Sequence, residues 1–190
     1  VTLDVIMAGF GGQGVMLMGQ LLAYAGMVAG KQVSWMPSYG PEMRGGTANC
    51  TVIVSDDEIG SPVVTRPDVV IALNLPSLDK FEEVVKVGGV LIYNSSLIKR
   101  RPTRTDIHII DVLANDIAAE LGNPRVANLV ALGALLEITK VVGDESLEQA
   151  LKKALPAHRQ DMLLLNMRAL SRGRAAANPV SFRHFALRQS

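Results

Sequence analysis

Gly9-Phe10-Gly11-Gly12-Gln13-Gly14 follows the apolar run Val5-Ile6-Met7-Ala8 and precedes a long apolar segment, Val15 to Ala29. A G-x-G-x-x-G pattern between a strand and a helix demands a tight turn and lets another body approach the main chain. The helix that it opens offers unpaired N–H groups and the positive end of its dipole to an anion. The same glycines also serve close helix–strand packing, so the turn alone leaves both readings open.

Beyond the turn the chain reads as alternating strands and helices. Gly30-Lys31 stops the first helix, and Gln32 to Met36 forms a short strand cut by Pro37. With the first strand this makes a β-α-β unit, whose two strands are expected to be parallel neighbours. Ser38 to Thr47 has no usable periodicity and reads as a loop, and a loop of that length in a compact domain is more often functional than idle. Ala48 to Ser55 alternates like a strand, and Ser61 to Val64 reads as another extended piece. Val69 to Leu73 and Val90 to Tyr93 are continuous apolar runs of the kind found in strands covered on both faces. Ser77 is the expected cap of a helix running to about Lys86, and Ile107 to Ile110 is the last expected strand. Helices are then expected from Asp111 or Asn115 to about Gly122, over 126–142, from Ser146 to Leu155 and from Asp161 to Arg172, with Gly173 ending the last.

This order predicts an α/β fold: a Rossmann-like, open, mostly parallel sheet with helices on both faces, plus a helical C-terminal region. Residues 1–190 read as a single domain, with 1–122 as the α/β core and 123–190 as a helical extension packed on it. Ligands of such sheets sit at the carboxyl ends of the strands. By that rule Gly9–Gly14, Met36–Thr47, Asn74–Ser77 and Asn94–Ser96 converge on one rim.

Charge and composition narrow what the rim can do. The net charge of +1 gives no global reason to expect nucleic acid. Lys99-Arg100-Arg101 with Arg104, and the arginines from Arg168 to Arg188, are local basic stretches that suit either a solvated surface or an acidic or phosphate partner. A lone cysteine, Cys50, excludes an internal disulfide framework and an iron–sulfur cluster held by this chain alone. No stretch reads as a membrane span or a secretory leader, so the cytoplasm is the expected compartment. No metal-ligand spacing stands out, and His108, His158 and His184 are scattered away from the rim. NAD binding calls for an acid at the end of the second strand, but the sequence there is Ser34-Trp35-Met36-Pro37-Ser38. A P-loop is excluded because no Gly-Lys-Ser/Thr follows the glycines. The rim therefore offers glycine backbone with Gln13, Tyr39, Glu42, Arg44, Asn74, Ser77 and Asn94, which is a binding set rather than a full catalytic set.

The glycine turn, followed by Pro37-Ser38-Tyr39-Gly40-Pro41-Glu42-Met43-Arg44-Gly45-Gly46-Thr47-Ala48-Asn49-Cys50, is far more specific than the glycines alone. Together with Gly60-Ser61-Pro62-Val63, Asn74-Leu75-Pro76-Ser77 and Asn128 to Ala134, it closely resembles the gamma subunit of 2-oxoacid:ferredoxin (acceptor) oxidoreductases. The resemblance implies a role in oxidative decarboxylation of a 2-oxoacid with coenzyme A, giving acyl-CoA, carbon dioxide and a reduced acceptor. The loop is most similar to the 2-oxoglutarate and branched-chain 2-oxoacid enzymes, with 2-oxoglutarate as the expected substrate. Branched-chain and pyruvate types are the alternatives, and outside the family the alternative is a free-standing nucleotide-binding module.

The resemblance also implies no catalytic residue in this chain. Thiamine diphosphate, Mg2+ and iron–sulfur clusters are expected in partner subunits (alpha, beta and a ferredoxin-like delta), with ferredoxin or another low-potential acceptor downstream. Coenzyme A is expected at Gly9, Gly11, Gly12, Gln13, Gly14, Arg44, Asn74 and Ser77. Ser38, Tyr39, Gly40, Pro41, Glu42, Met43, Arg44, Gly45 and Gly46 are expected to contact a partner. A homodimer of the isolated chain stays open.

Overall fold

The structure, a computed structural model, describes residues 1–38 and 47–177, with Thr47 described by its backbone alone. The strands are β1 (Thr2–Phe10), β2 (Gln32–Ser38), β3 (Thr47–Ser55), β4 (Val69–Ala72), β5 (Val90–Asn94) and β6 (His108–Val112). The helices are α1 (Val15–Val28), α2 (Leu75–Phe81), α3 (Ala114–Glu120), α4 (Ala127–Thr139), α5 (Asp144–Ala154) and α6 (Met162–Ala176). The strands form one mixed sheet in the order β2-β3-β1-β4-β5-β6.

β1, β4, β5 and β6 pair in parallel, whereas β3 runs antiparallel to both of its neighbours. β1 and β2 thus point the same way but are not neighbours, because β3 lies between them. Pro37 is the physical reason: it lacks an N–H for a second ladder and so is tolerated only where one side of the strand is unpaired. β3 has no proline, and its Cys50, Val52 and Val54 are fully buried, so it suits the interior position.

The two faces of the sheet are covered unequally. Leu3, Val5, Met7, Val52, Ile71 and Ile92 project into a large core shared with α1 and with α3 to α6. The other face carries a smaller cluster in which Ile6, Ala8, Val70 and Leu91 meet Leu78 and Phe81 of α2. Burial on this scale, at roughly 25 cal/mol per Å2 of apolar surface, is the main force holding the layers together.

Several boundaries differ from those expected. Asn74, not Ser77, caps α2: its Oδ1 accepts from the Ser77 N–H at 2.9 Å. The helix stops at Phe81, and a 3-10 turn over Glu82–Val84 follows. There Glu82, buried to 4 % exposure, accepts from Arg100 Nη2 and from the Thr103 N–H. Arg104 pairs with Asp106 and donates to the Val85 carbonyl at 2.7 Å. The basic stretch around residue 100 is therefore largely spent in tying the 99–106 segment to α2. Residues 61–64 form no strand. Helix α6 runs through Gly173 because the bare backbone there lies against Val130 of α4, just as Gly133 of α4 lies against Leu170 of α6. No helix of the described residues is long and apolar enough to cross a membrane.

Candidate functional site

The carboxyl end of β1 delivers the chain into the glycine turn. Gly14 is the N-cap of α1 in the left-handed region, with φ 76° and ψ 27°. Gly12 has φ 90°, and among the described residues neither Gly11 nor Gly12 has a heavy atom within 4 Å of where a Cβ would stand. No described residue covers the backbone at these two positions. Helix α1 begins with no side-chain cap among the described residues and no acid in its first turn. No acid in its first turn offsets the N–H groups there or the dipole end they carry.

The other two glycines of the motif do a different job. A Cβ at Gly9 would come within 2.7 Å of Gln13 Oε1 and 3.1 Å of Leu73 Cβ. At Gly14 a Cβ would run into the Asn128 side chain. Gln13 folds back as a brace, its Oε1 accepting from the Phe10 N–H at 2.6 Å and from Asn74 Nδ2 at 3.5 Å. Gly9 and Gly14 let the turn pack, whereas no described residue crowds Gly11 or Gly12.

Around the turn, the strand ends contribute carboxamides rather than charges. Asn94 Nδ2 donates to the Leu73 carbonyl at 3.2 Å and to Asn115 Oδ1 at 2.7 Å, while its Oδ1 accepts from the Ala114 N–H. Asn128, from the start of α4, donates to the Gly14 carbonyl at 3.1 Å. Gly12, Gln13, Asn94, Asn115, Arg125 and Asn128 line a cleft of about 180 Å3. A second hollow of about 280 Å3 lies on the other side of the turn, against Phe10, Gly11, Val15 and Leu17. A third, of about 410 Å3, shares Arg125 and Asn128 with the first and Leu17 with the second, and reaches His158, Arg159 and Asn166. The first alone is smaller than the roughly 300–1,000 Å3 of ordinary small-molecule sites, but the three share walls around the helix start.

Of the predicted binding residues, Gly12 and Gln13 line the cleft, Gly11, Gly12 and Gly14 line the hollow beside it, and Gly9 packs against Gln13 and Leu73. Asn74 and Ser77 are buried at the α2 cap, and the Ser77 hydroxyl has no hydrogen-bond partner among the described residues. Ser38 ends β2 and is exposed. Tyr39 to Gly46, Arg44 among them, lie outside the described residues. Asn115, Arg125, Asn128 and Arg159 were missed as site residues because they come from the helical region, 100 or more residues after the turn. A polar Asn at the head of the apolar segment 128–136 was the available signal.

Cys50 is fully buried at the α1–β3 contact, and burial pushes its thiol up to about 12, so it stays protonated and unreactive. Among the described residues no group of His, Cys, Asp or Glu is placed to hold a metal ion. The arrangement can bind and orient an anionic, amide-bearing ligand; it holds no nucleophile–base pair among the described residues.

The family model for pyruvate ferredoxin/flavodoxin oxidoreductase matches residues 4–176. The ketoisovalerate oxidoreductase subunit VorA of Methanothermobacter thermautotrophicus is 41% identical over 167 residues, 87% of this chain and 34% of that protein. The chain therefore spans about a third of that relative's length. The 2-oxoglutarate synthase subunit KorC of Methanocaldococcus jannaschii is 35% identical over 173 residues, 90% of this chain and 91% of that subunit. Among solved structures, the keto/oxoacid ferredoxin oxidoreductase gamma subunit from Geobacter sulfurreducens superposes with a TM-score of 0.81 at 33% identity, covering 92% of this chain and 98% of that one. The 2-oxoglutarate:ferredoxin oxidoreductase from Magnetococcus marinus, with 2-oxoglutarate, coenzyme A and succinyl-CoA bound, gives a TM-score of 0.86 at 25% identity, covering 95% of this chain and 32% of that one.

Proposed function

The chain belongs to the pyruvate ferredoxin/flavodoxin oxidoreductase family, and on that premise we propose that it serves as the gamma-type subunit of a 2-oxoacid oxidoreductase, presenting coenzyme A to a catalytic centre held by other chains. The observation that carries this reading is the open turn. Among the described residues nothing crowds Gly11 or Gly12 and no side chain caps the 14-residue helix that follows, which suits the pyrophosphate of coenzyme A. The carboxamides of Asn94, Asn115 and Asn128 beside it are held in place by hydrogen bonds and suit a ligand that carries amide groups of its own.

The donor chemistry of this chain does not fit the redox groups of such a reaction. One cysteine cannot hold an iron–sulfur cluster, and among the described residues that line the cleft there is no carboxylate to bind Mg2+ beside a diphosphate. In this proposal thiamine diphosphate, Mg2+ and the clusters belong to alpha, beta and delta subunits, the acceptor is ferredoxin, and the complex works in the cytoplasm. In this reading the segment from Ser38 to Gly46 contacts those partners. In this proposal residues 1–190 act as one unit, a reading supported over the described residues by the core that α4 to α6 share with the strands.

The proposed oxoacid is 2-oxoglutarate, supported by the match along nearly the whole of KorC. The higher identity to VorA favours a second reading, a branched-chain 2-oxoacid. Co-purification followed by parallel assay of 2-oxoglutarate, ketoisovalerate and pyruvate decides between them. Coenzyme A-dependent reduction of ferredoxin is expected only with the partners present. Turnover by this chain alone would overturn the proposal.

A further inference from the structure

Four carboxamides line the cleft beside the glycine turn, those of Gln13, Asn94, Asn115 and Asn128, and each owns one acceptor oxygen and one NH2 donor. All four oxygens are turned onto the protein. Gln13 Oε1 accepts from the Phe10 N–H at 2.6 Å, and Asn128 Oδ1 accepts from the Leu129 N–H at 2.9 Å. Asn94 Oδ1 accepts from the Ala114 N–H at 3.2 Å, and Asn115 Oδ1 accepts from Asn94 Nδ2 at 2.7 Å. The donors are used unevenly. Asn94 Nδ2 also donates to the Leu73 carbonyl at 3.2 Å, and Asn128 Nδ2 donates to the Gly14 carbonyl at 3.1 Å. Gln13 Nε2 and Asn115 Nδ2 donate to no described residue. The remaining polar side chain of the described lining is Arg125, which has donors alone.

Asn94 decides this arrangement. It is 2 % exposed at the end of β5, and two of the groups that it meets are backbone: the Ala114 N–H needs an acceptor and the Leu73 carbonyl needs a donor. A flipped Asn94 amide would set N–H against N–H and oxygen against oxygen, so only one orientation satisfies both. With Asn94 fixed in that way, its amide meets Asn115, which must turn its oxygen inward and its NH2 away. Asn115 is half-buried in the first turn of α3 and lines the cleft. Gln13 is held in the same sense by the Phe10 N–H. A ligand in the cleft therefore meets side-chain donors, and no side-chain oxygen of the described lining is left unpaired.

We propose that Asn94 is a positioning residue: through its bond to Asn115 it sets the cleft wall to donors, which selects an acceptor oxygen of the ligand, phosphate or amide carbonyl, over an N–H group. The proposal rests on the coenzyme A reading above and deepens it. The glycine turn gives the ligand room at the main chain, whereas Asn94 determines which atoms of the ligand the wall accepts. Both amide hydrogens of Asn94 are already used, so its effect passes through Asn115.

The test is a double-mutant cycle on the KM for coenzyme A in the complex reconstituted with its partner subunits. Asn94→Ala and Asn115→Ala are each expected to raise that KM by about five- to tenfold, the scale of one hydrogen bond, with kcat and the KM for the 2-oxoacid unchanged. The double variant is expected to match Asn115→Ala alone, because Asn94 then has nothing left to orient. The thermal midpoint separates this from loss of structure: Asn94→Ala lowers it in both backgrounds, whereas its effect on KM requires Asn115. Asn115→Asp leaves Asn94 in place and carries the test should Asn94→Ala fail to assemble. Its carboxylate keeps one oxygen for Asn94 Nδ2 and puts another where the donor stood, so its KM is expected to exceed that of Asn115→Ala. Effects that multiply in the double variant, an unchanged KM in Asn94→Ala, or an Asn115→Asp no worse than Asn115→Ala would each overturn the positioning role. Inhibition by ADP, which carries the diphosphate alone, and by pantetheine, which carries the carbonyls alone, identifies the oxygen. Asn115→Ala is expected to weaken whichever of the two bears it, and unchanged inhibition by both would overturn the proposal. Gly12→Val in the same complex keeps the two readings apart. A KM raised there but not in the asparagine variants overturns the positioning role alone, and an unchanged KM in all of them removes the coenzyme A site as well.

Discussion

The glycines of the β1–α1 turn and those of the α4–α6 crossing look alike in sequence and do opposite things in space. At Gly133 and Gly173 a Cβ would strike the backbone of the facing helix, at Leu170 and Val130 respectively, so glycine there is filled-in contact. At Gly11 and Gly12 nothing among the described residues stands within 4 Å, so glycine there leaves space beside the described backbone. Arginine repeats the contrast. Arg100 and Arg104 are committed to Asp79, Glu82 and Asp106, whereas Arg125 and Arg159 pair with no described carboxylate. Residue type says what a position permits; the surroundings say whether that capacity is already used.

The largest expected effect lies at the crossing. Gly173→Ala or Gly133→Ala places a methyl group on a main-chain carbonyl, and neither helix can move without disturbing the core. A loss of about 3 kcal/mol is expected, at the upper end for overpacking, with a Tm drop of roughly 6–12 °C. A wild-type melting curve for both variants would break the comparison at its firmest point.

Next come the committed arginines. Arg100→Gln leaves the Glu82 carboxylate buried with less compensation and is expected to cost about 2 kcal/mol, discounted because Arg100 is itself a third exposed. Chemical denaturation should show Arg125→Gln and Arg159→Gln within about 0.5 kcal/mol of wild type. A matching loss at Arg125 or Arg159 would mean that they too are structural.

Glu82 adds a pH signature. Burial pushes its carboxyl up, but the Thr103 N–H and the Arg100 guanidinium outweigh that, and its value ends below the ordinary one. A carboxyl lowered on folding contributes stability above its unfolded value, about 4.3, and loses it as pH falls through the lower folded value. Denaturation series at pH 7 and pH 3 should therefore show the gap between wild type and Glu82→Gln narrowing in acid. A gap that widens in acid would contradict the clasp.

The smallest effect sharpens the contrast most. Gly11→Ala enters open space without a positive φ and should change stability by less than about 0.5 kcal/mol. Gly12→Ala, at φ 90°, should cost about 1–2 kcal/mol from backbone strain alone. Thermal melts compare the two directly, and a larger loss at Gly11 than at Gly12 would mean that the turn is crowded rather than open.

Much of the fold was legible in the residues. The continuous apolar runs at Val69–Leu73 and Val90–Tyr93 marked buried strands, and the apolar–glycine–apolar sequence of residues 5–29 marked the first β-turn-α unit. Strand order was harder, because β3 returns antiparallel and inserts beside β1. Pro37 carried the warning in its missing N–H, but a proline shows only that an edge exists, not which strand fills the interior. The Asn74 cap was hidden by Ser77, an equally good cap residue three positions later. Within the site, Gly9–Gly14 is contiguous and readable, whereas Arg125, Asn128, His158, Arg159 and Asn166 gather only when α4 and α6 fold back on the sheet. Nothing local to those residues distinguishes them from other polar groups on helices and turns.

The central claim is that Gly11 and Gly12 hold open a place for the phosphates of coenzyme A. It is tested most directly by the KM for coenzyme A in the complex reconstituted with Gly12→Val, measured beside wild type at matched subunit content. The expected result is a KM raised about tenfold or more, about 1.4 kcal/mol of lost binding, with the KM for the 2-oxoacid and the assembly state unchanged. An unchanged KM for coenzyme A in an intact complex would contradict it.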